Sequence, residues 1–299
     1  MPELPDITLY LEALRERILG RALERSRVLS PFLLRSVEPP LEAAHGSIVV
    51  DLERLGKRVA IGFANDVWLV LHLMIAGRLQ WRASWPRSFT GQTVLALDFA
   101  ASGTVLMTEA GTRKRASLYI VRGRAGLDQH EPGGIEIDRA TAAEFEAVLR
   151  RRSHTLKRAL TDPRLISGIG NAYSDEILHR AGLSPVALTS RLTSLECTRL
   201  FAAARAVLAE WLVRLRAKAH GEFPSKVTAF HDEMAVHGRF GLPCPVCNTK
   251  IQRIRYAANE TNYCPRCQTN GRLLADRSLS RLLKQDWPTS IDELERMQS

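Results

Sequence analysis

No run of about 20 consecutive apolar residues occurs in this chain, so a helical membrane span is not expected. Nor do the first residues read as a secretory leader, because acidic and polar side chains interrupt them within six positions. The expectation is a soluble cytoplasmic protein without a membrane partner, in a compartment that in a bacterium includes the nucleoid. Internal repeats and low-complexity tracts are also missing, which argues against a solenoid or a disordered tether. Cysteine is scarce, with five residues in 299, too few for a disulfide framework in a chain without secretion features.

Four of those five cysteines are paired in sequence. Cys244/Cys247 and Cys264/Cys267 form two C-x-x-C pairs with sixteen residues between them, the spacing of a zinc ribbon. Each pair sits in a proline-containing turn that can aim two thiolates at one ion. We therefore expect one structural Zn2+, since four thiolates leave no open position for a catalytic water. Cys197 lies in a helical pattern and reads as a buried thiol.

The charge balance is basic: 42 Lys+Arg against 32 Asp+Glu give +10. Such an excess favours a polyanionic partner, because each phosphate contacted releases condensed counterions. At this length the chain can hold two ordinary domains and a small module.

Along residues 6–19, Ile7, Tyr10, Leu11, Leu14 and Ile18 recur at helical spacing, with Gly20 as a stop. Strand-like runs follow: S-I-V-V-D-L, K-R-V-A-I-G-F, V-W-L-V-L-H-L-M-I, T-V-L-A-L-D-F, T-V-L-M-T-E and A-S-L-Y-I-V. Asn65-Asp66 and Ser102-Gly103 mark hairpin turns. Near Glu131-Pro132-Gly133-Gly134 the period becomes helical, and Thr141-x-x-Glu144 and Thr193-x-x-Glu196 are capping-box signatures. The expected class is α+β multidomain: an N-terminal β-sandwich with an N-terminal helix (1–130), a helical domain (131–240), a zinc ribbon (241–271) and a C-terminal tail (272–299). In that tail, leucines 273, 274, 279, 282 and 283 are expected to dock while its arginines face solvent or DNA.

Two segments point to chemistry. The opening M-P-E-L-P-D would, after removal of Met1, leave Pro2 with a free secondary amine. An α-amino group has a reference pKa near ~8, so part of it is neutral at pH 7 and can attack the C1′ of a sugar or a carbonyl to form an iminium. Glu3 stands beside it as a proton donor and acceptor. The second segment spans residues 154–185. There Gly168 and Gly170 allow a sharp turn before a helix, exposing N–H groups that suit a phosphate. Asn171 adds a side-chain donor and Lys157 a cation.

Together with R-L-G-K-R, H-L-x-x-x-G, G-I-G-N-A-Y-S-D-E-I-L and V-H-G-R-x-G-x-P-C-x-x-C, these segments resemble the formamidopyrimidine-DNA glycosylase/endonuclease VIII family over nearly the whole chain. The resemblance implies a β-sandwich joined to a helix–two-turn–helix domain with a zinc finger. It implies a bifunctional DNA glycosylase and AP lyase of base excision repair, acting on damaged or abasic DNA as a monomer. Pro2 would be the nucleophile, Glu3 the acid/base, and Lys57 and Asn171 phosphate contacts, with β,δ-elimination after base release.

Several positions depart from the family pattern. Asn259 occupies the place of the zinc-hairpin arginine, with Arg253 and Arg255 nearby. Ile75 stands for the void-filling methionine, beside Met74, both expected in a strand with their side chains on opposite faces. A loop offering Arg113, Lys114 and Arg115 replaces the Arg-Phe wedge, and the segment before the zinc module is short. These changes concern recognition and lead us to expect poor excision of 8-oxoguanine. His72, Trp68, Trp81 and Trp85 read as packing residues, and Glu176 as a support of the glycine turn. Two rival readings are a non-catalytic damaged-DNA-binding relative and an amino-terminal-proline tautomerase of small keto acids. The second leaves the ribbon, the charge and the glycine turn unexplained.

Overall fold

A computed structural model describes residues 1–256, 259–275 and 288–298. They divide into two compact units, residues 1–132 with 210–229, and 133–209 with 230–299. Among the described residues no helix is long and apolar enough to cross a membrane.

The first unit opens with α1 (Leu4–Ile18), whose Ile7, Tyr10, Leu11, Leu14 and Ile18 are all buried. Eight strands follow: β1 (Leu23–Val28), β2 (Val49–Leu55), β3 (Arg58–Phe63), β4 (Val67–His72), β5 (Gly77–Arg82), β6 (Thr93–Phe99), β7 (Gly103–Glu109) and β8 (Ser117–Arg122). They form two four-stranded antiparallel sheets, ordered β1-β6-β7-β5 and β2-β3-β4-β8. One apolar cluster joins both sheets to α1, through residues such as Leu14, Ile61, Leu69, Leu97 and Met107. The outer face of β3–β4 is covered too: Ala60, Trp68 and Val70 pack with Leu127 of α2 (Gly123–Asp128). That double burial explains why β4 reads as an unbroken apolar run.

The two strands that hydrophobic periodicity overlooks, β1 and β5, are both edges of one sheet. β1 carries Glu24, Arg25 and Arg27, the charged dressing that blunts an edge. Its arginines are anchored from the neighbouring strand, where fully buried Asp98 accepts Arg25 Nε at 3.1 Å and Arg27 Nη2 at 2.6 Å. Thr104 Oγ1 donates to the same carboxylate at 2.6 Å. Trp85, expected as packing, is instead partly exposed, with the Arg25 guanidinium 5.4 Å over its ring.

The second unit contains α3 (Ala142–Arg150), α4 (Leu156–Thr161), α5 (Asn171–Ala181) and the first part of α6 (Ser194–Ala219). Both capping boxes form: Glu144 N–H donates to Thr141 Oγ1, and Glu196 N–H to Thr193 Oγ1, each at 3.2 Å. The returning carboxylates accept Thr141 N–H and Thr193 N–H, each at 2.8 Å. The hairpin β9 (Gln252–Tyr256)/β10 (Asn259–Tyr263) and α7 (Pro265–Thr269) make the ribbon, and α8 (Ile291–Gln298) closes the unit. Leu273 is buried, and the Leu274 N–H donates to Tyr263 Oη at 2.8 Å. Leucines 279, 282 and 283 lie outside the described residues.

Candidate functional site

In the first unit the chemistry gathers at the start of α1. Pro2 and Glu3 are buried, and Glu3 is the extended residue that caps the helix. Its N–H donates to Asp6 Oδ2 at 2.8 Å, while Asp6 Oδ1 has no hydrogen-bond partner among the described residues. Burial pushes the Asp6 carboxyl up to about 7; the Glu3 N–H pulls it down and the Glu3 charge adds to the rise. Lys57 follows Gly56 in the β2–β3 turn. Burial holds its ammonium below the usual lysine value, with Glu3 opposing that shift. The amino terminus, at Met1, is likewise lowered by burial; Glu3 and Asp6 raise it, Arg78 and Lys57 lower it.

An amine, two carboxyls and two cations thus share one partly desolvated neighbourhood. Sequence reading named Pro2, Glu3 and Lys57. It passed over Asp6, which looks like an ordinary acid in a first helical turn, and Arg78, which follows the glycine of H-L-x-x-x-G. Arg78 is fixed on its sheet by bonds from Nε to Val227 O at 2.5 Å and from Nη1 to Gly77 O at 2.7 Å.

Met74 and Ile75 do not lie in a strand. β4 ends at His72, and residues 74–76 make a turn closed by Gly77 N–H to Leu73 O at 2.9 Å. A Cβ on Gly77 would sit 2.2 Å from that carbonyl oxygen, so the turn requires glycine. Strand alternation therefore does not separate the two side chains: Met74 takes a left-handed φ of 52°, and Ile75 is 59% exposed at the tip. His72 is partly buried and held down to about 4 by desolvation, Arg58 and Lys57, so it is a neutral ring at pH 7.

The loop between β7 and β8 is staged by Glu109. This buried carboxylate accepts the backbone N–H of Arg115 at 2.8 Å and of Ala116 at 3.1 Å. Lys114 Nζ turns back onto Glu109 O, whereas Arg113 and Arg115 are exposed. Of the three cations, two are directed at solvent.

In the second unit the G-I-G-N turn enters α5 with Gly168 at φ 80° and Gly170 as the capping residue. The expected exposed amides are not found, because residues 166–170 are buried. Lys157 is also committed inward: its ammonium meets Asp175 Oδ1 at 2.5 Å and Asn171 O at 2.7 Å. Fully buried Asp175 needs that cation, and its Oδ2 accepts His237 Nδ1 at 2.8 Å and Asn262 N–H at 3.2 Å. Asn171 Nδ2 donates to Glu260 O at 2.9 Å, which uses one of its two hydrogens. Glu176 supports a different segment from the one anticipated. Its carboxylate accepts the N–H groups of Ala235, Val236 and His237 at 2.8 to 3.0 Å, pinning the chain ahead of the ribbon.

The four ribbon cysteines converge, with their Sγ atoms all within 4.8 Å of one another. Cys244 and Cys267 are 3.9 Å apart, Cys247 and Cys264 3.3 Å. Tetrahedral zinc with Zn–S of ~2.3 Å places sulfurs about 3.8 Å apart, so this donor set fits the ion. In the hairpin, Arg253 and Arg255 both pair with Glu260, at 3.2 and 3.1 Å, and the Arg253 guanidinium lies 4.1 Å over Phe240. The Asn259 side chain lies outside the described set.

Comparison with known proteins agrees with this architecture. Residues 1–117 match the formamidopyrimidine-DNA glycosylase N-terminal domain, 132–219 the formamidopyrimidine-DNA glycosylase H2TH domain, and 241–270 the zinc finger found in FPG and IleRS. A formamidopyrimidine-DNA glycosylase of Desulfitobacterium hafniense is 32% identical over 283 residues, covering 90% of this chain and 100% of that protein. An uncharacterized formamidopyrimidine-DNA glycosylase-like protein of Mycobacterium tuberculosis is 37% identical over 160 residues, 54% of this chain and 99% of that one. The crystal structure of the MutM (Fpg) protein from Thermus thermophilus superposes with a TM-score of 0.75 at 30% identity, over 89% of this chain and 98% of that one. A Lactococcus lactis Fpg bound to abasic-site DNA shares the fold, with a TM-score of 0.79 at 23% identity over 89% and 99% of the two chains. With its three matched domains, its ribbon of zinc ligands and relatives aligned along their full length, the chain belongs to the formamidopyrimidine-DNA glycosylase/endonuclease VIII family of DNA-repair glycosylases.

Proposed function

We propose that this protein is a bifunctional DNA glycosylase and AP lyase in which Pro2, exposed by loss of Met1, is the nucleophile. The observation that carries this reading is the burial of Pro2 and Glu3 side by side at the start of α1. The Met1 amine that precedes them is lowered by burial, with Glu3 and Asp6 opposing and Arg78 and Lys57 adding to the fall. The same surroundings would favour the neutral form of a Pro2 amine, the form that attacks. Glu3 is one residue away and buried, placed to protonate the sugar ring oxygen as C1′ is attacked and the base leaves.

The remaining steps follow from the iminium. With an abasic sugar, the amine adds to the C1′ aldehyde and water departs, leaving a C1′–N double bond. That cation acidifies C2′. Removal of a C2′ proton gives an enamine; its electron pair then returns, forming a C2′–C3′ double bond as the C3′–O bond breaks and the 3′ phosphate leaves with that bond's electrons. A second elimination expels the 5′ phosphate, and hydrolysis returns Pro2. Lys57 and Arg78 supply positive charge where phosphates would lie, and positioned charge of this kind is worth most where water is excluded. Asn171 and the exposed Arg113 and Arg115 add phosphate contacts. Zinc, when bound, holds the ribbon in shape and takes no part in these steps.

Damaged or abasic DNA is the substrate class that the relatives' names and the Lactococcus lactis complex support. We place abasic sites ahead of 8-oxoguanine in duplex DNA, because exposed Ile75 and the loop of Arg113 and Arg115 offer no aromatic wedge to replace a flipped base. An abasic or single-stranded substrate demands less of that compensation. Single-turnover cleavage of matched oligonucleotides, duplex and single-stranded, tests this. Abasic sites should be cut readily and 8-oxoguanine opposite cytosine poorly; comparable rates on the two duplexes would overturn the ranking.

A further inference from the structure

Asn171, Asp175 and His179 follow one another on α5 at four-residue spacing, which sets them on one face of the helix, a turn apart. All three are bonded to the ribbon module. Asn171 Nδ2 donates to Glu260 O at 2.9 Å, and Asp175 Oδ2 accepts Asn262 N–H at 3.2 Å. The third contact differs in kind. His179 Nε2 lies 3.3 Å from Cys244 Sγ, a metal ligand, in a buried pair where the histidine is only 8% exposed.

A cysteine holding zinc is a thiolate, and a thiolate can only accept hydrogen bonds. The hydrogen between these two atoms must therefore sit on Nε2, which fixes the ring tautomer. We propose that His179 is a positioning residue of the zinc centre. Its Nε2–H donates to the Cys244 thiolate, withdraws charge from that sulfur, and ties the metal to the helix that begins at the G-I-G-N turn. Outer partners of this kind commonly change metal affinity by about 10- to 100-fold. The inference stands on the ribbon geometry and does not depend on the lyase reading.

The test uses the full-length protein loaded with zinc, and with cobalt as a spectroscopic replacement. H179F fills the volume without donating, whereas H179Q retains an N–H donor. Losing a hydrogen bond raises the energy of the sulfur lone pairs, so the sulfur-to-cobalt charge-transfer band of H179F should move to lower energy. Its zinc affinity, measured in competition with a chelator at equilibrium, should fall about 10- to 100-fold, with H179Q restoring part of both. An unchanged band and unchanged zinc affinity in a folded H179F would overturn the proposal. Because H179F can fail to fold, nitrogen-15 spectra of the wild-type zinc protein labelled at histidine provide an independent reading. Nε2 of His179 should be the protonated ring nitrogen, with its hydrogen protected from exchange; an unprotonated Nε2 would also overturn the proposal.

Discussion

The backbone N–H of Glu3 donates to Asp6 Oδ2 at 2.8 Å, so the acid/base candidate is oriented by a second carboxyl that is itself only 2% exposed. This bond closes the first turn of α1 and fixes the chain that carries Pro2. A residue that looks like helix-capping decoration is thus part of the wall of the candidate site.

Asp6 gives the site a signature in pH. Burial pushes its carboxyl from an ordinary 3.8 up to about 7. Between those values the folded chain keeps a proton that the unfolded chain has released, so this contribution makes stability fall as pH rises through the window. His72 acts in the opposite direction. Held down to about 4 from 6.5, it favours the folded state increasingly as pH rises between those two values. Asp6→Asn keeps an acceptor for Glu3 N–H and removes only the first contribution. In urea denaturation at pH values from 4 to 7, the variant should gain on the wild type by about 2–4 kcal/mol toward neutrality. Parallel pH profiles for the two proteins would contradict the assignment.

Lys157 is held by a fully buried carboxylate, so its removal should cost stability rather than phosphate affinity. Lys157→Met leaves Asp175 short of its cation and should destabilise the second unit by roughly 3 kcal/mol. The dependence of DNA affinity on salt should keep its slope. By contrast, Arg113→Ser and Arg115→Ser should each flatten that slope by about 0.9 if each side chain meets one phosphate. A slope that drops in Lys157→Met would return this lysine to the DNA surface.

Zinc removal should separate the two units' behaviour. Chelation, or Cys264→Ser, is expected to unfold the ribbon and weaken DNA binding while the near-ultraviolet signal of the sandwich tryptophans, Trp68 and Trp81, persists. Loss of that signal in step with metal release would show that zinc supports the whole chain.

Much of this architecture was legible because local chemistry and tertiary structure agree. The apolar face of α1 repeats at helical period, both capping boxes use Thr-x-x-Glu, and paired cysteines need only their spacing to announce a metal. What sequence concealed depends on partners far along the chain. β1 and β5 are edge strands whose polar residues mask alternation, and Arg25 and Arg27 make sense only beside Asp98 on β6. Lys157 looks like a free cation until Asp175, eighteen residues on, is found beneath it. Glu176 follows the glycine turn in sequence, yet the amides it binds belong to residues 235–237. The turn at 74–76 interrupts an apolar run that reads as one strand, because Gly77 permits a backbone approach no other residue allows.

The central claim is that the amine of Pro2 attacks the sugar, and borohydride trapping on abasic DNA tests it most directly. Three proteins are compared: the mature chain beginning at Pro2, the same chain with Met1 retained, and Glu3→Gln. The mature chain should form a covalent complex whose cross-linked peptide begins at Pro2. With Met1 retained the proline nitrogen is an amide, and no Pro2-linked complex should form. Glu3→Gln should bind damaged DNA as tightly as the wild type while releasing base about 10²–10⁴-fold more slowly, because the proton donor is lost and the shape is kept. Undiminished trapping by the Met1-retaining protein, with the cross-link mapped away from residues 1 and 2, would contradict the account.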